Sequence, residues 1–230
     1  QLRGFTADQV NALTATQFNR LSAAQVGMFG TSAVQGLELE DIQSLATTRL
    51  HGLTATQVSA IEETQLAAFS TAQIAALSTT QIQGLLATHA SALAATQLAA
   101  LKSTQIAALS TGAVGGLATT SISLLSQSQL GAFTATQFAA LSETQAGALS
   151  ATQIASLTGA QLTRFSSTAI SALGATAVSA FTTTQARGLT ATQVSGFSTA
   201  QIQALSTTQI QALPASAMSG FDATQVAAIS

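Results

Sequence analysis

The chain has 230 residues, a formal net charge of −2, and charged side chains at only 6 % of positions. That balance excludes nucleic acid as a partner, because a basic patch is the electrostatic footprint of such binding. Mean hydropathy is +0.42, yet Ser, Thr and Gln interrupt the sequence so often that no run approaches the ~20 apolar residues a membrane-spanning helix needs.

The apolar residues follow one period. A large one recurs at every eighth position from Phe5 to Ile229 without a slip of register. Calling this position 1, position 6 is also apolar (Val10, Phe18, Val26 and onward to Met218 and Val226), with Ala90, Ala146 and Ala186 as its weak members. Position 2 is mostly Ser or Thr, position 4 Thr, position 5 Gln and position 8 Ala or Gly, as in Leu205-Ser206-Thr207-Thr208-Gln209-Ile210-Gln211-Ala212 and, save for Ser156 at position 8, Leu149-Ser150-Ala151-Thr152-Gln153-Ile154-Ala155-Ser156.

Ser or Thr followed three residues later by Gln is a capping box, and an N-cap at position 2 puts positions 1 and 6 at the two sites of a hydrophobic staple. One assignment explains four positions of the octad, so each octad is predicted to start a new helix of about six residues over positions 3 to 8. A single long helix is excluded, since eight residues at about 100° each leave a drift of roughly 80° per repeat and no seam. A β-solenoid is the alternative. The apolar spacings alternate five and three, whereas strands alternate by two. Helices this short are not stable alone, so the repeats must stack as a solenoid around a column of Leu, Ile, Val and Phe. Small residues at position 8 let the next turn come close or bend the chain.

In chain order, residues 1–29 are regular. From Gly30 to His51 the pattern loosens: Ala33, Asp41 and Arg49 replace Gln at position 5, and Glu38, Glu40 and Asp41 gather. Three carboxylates can supply Ca²⁺ with oxygens, but their spacing matches no metal loop, and a solvated acidic face is expected there and at Glu62-Glu63. Residues 53–109 are the cleanest block, with Leu86 at position 2 and His89 at position 5 as exceptions. His51 and His89 are expected to be a surface residue and a cap substitute, and Lys102 stands alone. Ser121-Ile122-Ser123-Leu124-Leu125 resembles a strand locally, but the unbroken period predicts a helix. Residues 126–213 return to type, with Ala169 and Ala177 at position 5. Pro214 falls at position 2, just outside the predicted helix, where it breaks no i→i−4 bond. Asp222 is another N-cap.

Phe165, Phe181 and Phe197 alternate with Leu173, Leu189 and Leu205 at position 1. This rhythm of every second octad predicts two octads per superhelical turn. Residues 1–230 are expected to form a single continuous array, a fragment of a longer one, since Gln1 falls in mid-octad and no polar capping repeat closes either end.

No chemistry-bearing constellation emerges. There is no cysteine, the two histidines are unrelated, and the serines sit at cap positions, so no base lies near a nucleophile in the manner of a catalytic triad. No glycine-rich phosphate loop precedes a helix. No catalytic, cofactor-binding or metal-ligating residue is assigned, and no enzyme activity is expected. The Thr series at position 4, from Thr16 to Thr224, suits the second helical position, where hydroxyls help satisfy orphan N–H groups. Its other use is a regular lattice of hydroxyl and methyl groups able to meet ice, a glycan or another copy of the array.

Octads such as Leu53-Thr54-Ala55-Thr56-Gln57-Val58 and Leu205-Ser206-Thr207-Thr208-Gln209-Ile210 resemble repeats in very large secreted or surface proteins of bacteria, including adhesin-like chains and type I-secreted ones labelled haem-utilisation proteins. The resemblance spans the whole chain. It implies an extended, extracellular, non-catalytic role as a stalk, spacer or self-assembling component. It carries over no haem ligand. A surface rich in Ser, Thr and Gln and poor in Lys agrees with a place outside the cell.

Overall fold

The computed structural model describes residues 4–229, in which 28 helices of four to six residues run from α1 (Ala7–Asn11) to α28 (Ala223–Ala228). No strand occurs among the described residues. The fold is an all-α solenoid of short helices, one per octad, and not a β-solenoid.

The octad around Ser150 shows why each helix starts and stops. Ser150 is extended (φ −73°, ψ 160°) and caps α19 (Ala151–Ser156): its Oγ accepts from the Gln153 N–H at 3.2 Å, while the Ser150 N–H donates to Gln153 Oε1 at 2.9 Å. These two bonds satisfy donors that a helix start leaves orphaned. At the other end the Leu157 N–H donates to the Ile154 carbonyl at 3.1 Å. Leu157 (φ −70°, ψ 148°) and Thr158 (φ −73°, ψ 156°) are both extended and carry the chain into α20 (Gly159–Leu162). Two extended residues thus make this corner. No described residue has a positive φ, so the glycines at position 8 are not there to bend the backbone.

The period also prevails where local pattern disagreed. Thr119–Leu124, which includes most of the strand-like stretch, is helix α15. Pro214 is the N-cap of α27 (Ala215–Met218), at φ −69° and ψ 150°.

The chain divides into two units, residues 1–117 and 118–230. In the first, α1 packs on α4 (Thr31–Gln35), α7 (Ala55–Ser59) on α10 (Thr79–Ile82), and α10 on α13 (Ser103–Ala108). In the second, α18 (Glu143–Gly147) packs on α21 (Ser167–Ala172), α21 on α24 (Ala191–Ser195), and α24 on α27. Packed partners are three helices apart, so one turn takes three octads. The expectation of two octads per turn is corrected. The phenylalanine rhythm misled because side chains from different octads meet in the core. Phe5 and Phe29, three octads apart, have ring centroids 5.9 Å apart, but Phe181 and Phe197, two octads apart, also lie at 6.3 Å.

The core is the predicted column. Val58, Ile74 and Ile106 at position 6 of the first unit, and Ile154, Ile170 and Val194 of the second, are at most 1 % exposed. Each such side chain contributes about 1.5–3 kcal/mol on burial. Position 8 matters through close approach. A Cβ on Gly84 would overlap the Ala55 carbonyl oxygen, one turn below it. A Cβ on Gly116 would overlap that of Ala87 in α11 (Ala87–Ala92) in the same way.

Candidate functional site

The most elaborate polar chemistry of the chain lies at position 5. Gln73 stands at the third position of α9 (Thr71–Ala76), and its Oε1 accepts from the Ser70 N–H at 2.7 Å, as the capping box requires. Its Nε2 does something further. It donates to the carbonyls of Ile42 at 2.6 Å and Leu45 at 2.8 Å, at the end of α5 (Leu39–Ser44). One carboxamide therefore starts a helix in its own turn and closes a helix in the turn below.

The arrangement recurs at the same two sequence offsets. In the first unit Gln57 bonds the carbonyls of Val26 and Phe29, and Gln81 those of Leu50 and Leu53. In the second unit Gln153 reaches Ile122 and Leu125, Gln185 reaches Ile154 and Leu157, and Gln201 reaches Ile170 and Leu173. These glutamines are buried. Burying an amide without partners is costly, and here donors and acceptor are all engaged. Sequence reasoning found the capping box but missed this bridge. A signal was present: position 5 holds no Glu anywhere in the chain, although Glu serves a capping box as well as Gln does. An amide accepts at one end and donates at the other, which an ionised carboxylate cannot do.

The exceptional residues keep part of the function. Arg49, in α6 (Thr47–Leu50), donates through Nε to the Leu21 carbonyl at 3.1 Å, in the turn below. His89 keeps both halves: Nδ1 accepts from the Leu86 N–H at 3.1 Å, and Nε2 lies 2.7 Å from the Ile61 carbonyl. Those partners assign it the neutral Nε2–H tautomer, a cap substitute that also joins two turns. Asp41 keeps only the acceptor half, from the Glu38 N–H at 3.3 Å. At Leu86, Ala94 and Lys102 the N-cap hydroxyl is missing, and the return bond to the position-5 side chain remains.

The acidic cluster differs from expectation in one respect. Glu38 and Glu40 are not buried, but Asp41 is only 5 % exposed. Its carboxyl is pushed above the usual range, chiefly by burial and further by the charges of Glu38 and Glu40, against the lowering effect of its backbone hydrogen bond. Glu38, Glu40 and Glu62 border an open surface depression. Among the described residues no group of three or more His, Cys, Asp or Glu is placed to hold a metal. His51 is exposed, with Nε2 2.9 Å from the Ala76 carbonyl.

The Thr series is exposed, and several members pair with their own cap. Ser142 and Thr144 hydroxyls lie 3.0 Å apart, Ser150 and Thr152 3.0 Å, and Ser166 and Thr168 2.9 Å. These hydroxyls serve the helix start. Thr144, Thr168 and Thr192 stand on α18, α21 and α24, which pack in succession, so they form a row at the ~8–10 Å spacing of packed helices. No helix among the described residues is long and apolar enough to cross a membrane.

A family model described as the ALTTAQ repeat matches residues 58–95. This window holds Ala76-Leu77-Ser78-Thr79-Thr80-Gln81, and within it the chain is similar to a known repeat. The match supports a repeat-containing protein. No curated protein matches the chain.

Proposed function

We propose that the chain is a non-catalytic structural repeat segment, a stalk or spacer, of a secreted or surface-exposed bacterial protein. The observation that carries this reading is the position-5 glutamine. Its functional groups hold one turn on the next and leave nothing to offer a substrate. The hydroxyls at position 2 are likewise engaged in capping, several at position 4 pair with them, and outside the acidic cluster of Glu38, Glu40 and Asp41 the titratable groups are dispersed. The resemblance to repeats of large secreted bacterial proteins and the charge-poor Ser/Thr/Gln surface support a place outside the cell. Immunogold labelling and protease shaving of the source cells test it: label on the outer surface or in the medium is expected, and label confined to the cytoplasm would refute the location.

A second reading is favoured by the exposed row of Thr144, Thr168 and Thr192: a binding face for ice or glycan. Thermal-hysteresis and glycan-array measurements test it, and blanks in both would remove it.

A further inference from the structure

Position 5 is where the turns are joined, and in one octad the joint is made by a side chain that can take up a proton near neutral pH. We propose that His89 is an acid-sensitive joint of the solenoid: a second proton on its ring undoes the start of α11 and loosens that helix from the turn below.

His89 is 3 % exposed. Its Nδ1 accepts from the Leu86 N–H at 3.1 Å, and its Nε2–H donates to the Ile61 carbonyl at 2.7 Å. Only the neutral ring does both, because the imidazolium donates from both nitrogens and accepts at neither. Gln65, on α8 (Glu63–Ala67), makes the same two kinds of bond, to the Glu62 N–H and the Leu37 carbonyl, and an amide does not titrate.

Helix α11 depends on this ring. Its N-cap is Leu86, which has no hydroxyl to return a bond, so the Nδ1 contact is the side-chain bond that starts the helix. With the ring charged, Nδ1–H points at the Leu86 N–H, and that amide loses its acceptor. The charge also sits in a buried site, where an unpaired ion is costly. Turning the ring out to water relieves both penalties, and it takes Nε2 off the Ile61 carbonyl. The two halves of the joint fail together.

The surroundings offer the charged ring little. α11 packs on α8 below and on α14 (Thr111–Gly116) above. α14 holds no titratable residue. α8 and its N-cap carry Glu63 and Glu62, both exposed, where water screens their pull. Asp41 lies a turn further down, on α5, which packs on α8. His51 is exposed and meets the Ala76 carbonyl through Nε2, a donor that protonation leaves in place.

Hydrogen–deuterium exchange of the whole chain tests this, read by mass spectrometry at pH 8 and pH 5, which bracket the ordinary imidazole value of ~6.5, and corrected for the intrinsic exchange rate. The comparison is His89→Gln, which installs the residue most octads carry at position 5 and so keeps cap and bridge without a titrating group. In the wild type the peptide covering 85–93 is expected to lose protection about tenfold or more on acidification, the order expected when a buried N–H loses its acceptor. The same peptide of His89→Gln, and the 149–157 peptide of both proteins, keep theirs. Asp41 is present in both, so its own response cancels. Glu62→Gln is expected to leave the wild-type loss in place. Equal losses in the wild type and His89→Gln, no loss in either, or a response that Glu62→Gln abolishes would overturn the proposal. A second measurement needs no variant. The chain has two histidines, and ¹⁵N labelling of them reads the ring charge directly: His89 is expected to gain its charge in step with the loss of protection at 85–93, and an imidazolium at His89 with that protection intact would overturn the joint. Cellular location does not enter these experiments, so their failure and that of the surface reading are separate results.

Discussion

Replacing Gln73 by glutamate separates the bridge between turns from the capping box. Glutamate keeps an acceptor for the Ser70 N–H and suits a capping box as well as glutamine, so a residue that only caps would tolerate the change. In the structure the same side chain points its Nε2 at the Ile42 and Leu45 carbonyls, 2.6 and 2.8 Å away. The Gln73→Glu variant would lose two hydrogen bonds at about 0.5–1.5 kcal/mol each and set a buried oxygen against two carbonyl oxygens, for a total loss of about 3 kcal/mol. Gln73→Ala removes the acceptor as well and is expected to cost about 2–4 kcal/mol. The glutamate variant also carries a pH signature. Burial beside carbonyls raises the folded-state pKa of the new carboxyl, so the penalty is full at neutral pH and shrinks as pH falls through that raised value towards the ordinary ~4.3. The protonated acid also regains one donor. Gln9→Glu is the control, since Gln9 has the same capping box and no described turn beneath it, and it is expected to change stability by less than about 0.5 kcal/mol. Urea unfolding measures all three. Equal small effects for Gln73→Glu and Gln9→Glu would refute the bridging role.

Other perturbations follow from the same contacts. Gly84→Ala forces a methyl into the Ala55 carbonyl and is expected to cost about 1–3 kcal/mol. Gly131→Ala, at the end of α16 (Gln127–Gly131) with open space around it, is expected to be neutral or to gain up to about 1 kcal/mol in helix propensity; thermal melts that ranked the two alike would contradict the close approach. Asp41 has a raised carboxyl pKa, mainly from burial, so ionising it opposes folding. Relative stability is therefore full below the unfolded value and is lost as pH rises through the folded one. Asp41→Asn should be the more stable protein at neutral pH, with the two curves converging below about pH 4. A wild type more stable than Asp41→Asn at neutral pH would reverse that sign.

Much of this architecture is legible in eight residues. The cap at Ser150, the box with Gln153, the buried Leu149 and Ile154 and the placement of Pro214 all follow from local rules that act within one octad. The period carried most of the strand-like Ser121–Leu125 stretch into α15 even though its N-cap, Ala118, makes no side-chain cap bond, so the stacking of buried Ile122 outweighs a short β-prone run. Two features were not legible, for one reason: both belong to the relation between turns. The number of octads per turn is set by the angle through which extended pairs such as Leu157 and Thr158 swing the chain, and near-identical octads leave no mark of which one lies below. The phenylalanines were the only modulation, and side chains from neighbouring octads share the core, so their spacing carried no turn number. The bridging role of Gln73 was hidden because the capping box already accounts for a glutamine there, and the box does not use the amide NH₂. Asp41 looked solvated because Glu38 and Glu40 are, yet position 5 is an inward position in most octads, Ala33, His89 and Ser121 included.

The turn of three octads is the central claim, and nitroxide distances test it most directly. The chain has no cysteine, so pairs can be placed freely at exposed threonines of one unit. Thr80 in α10 and Thr104 in α13, three octads apart, stand on packed helices. Thr96 lies two octads from Thr80, in α12 (Ala95–Ala100). Strong dipolar broadening is predicted for Thr80→Cys with Thr104→Cys, whose helices are ~8–10 Å apart, and weaker broadening for Thr80→Cys with Thr96→Cys. The reverse order would contradict the three-octad turn and with it the register in which every bridging glutamine is placed.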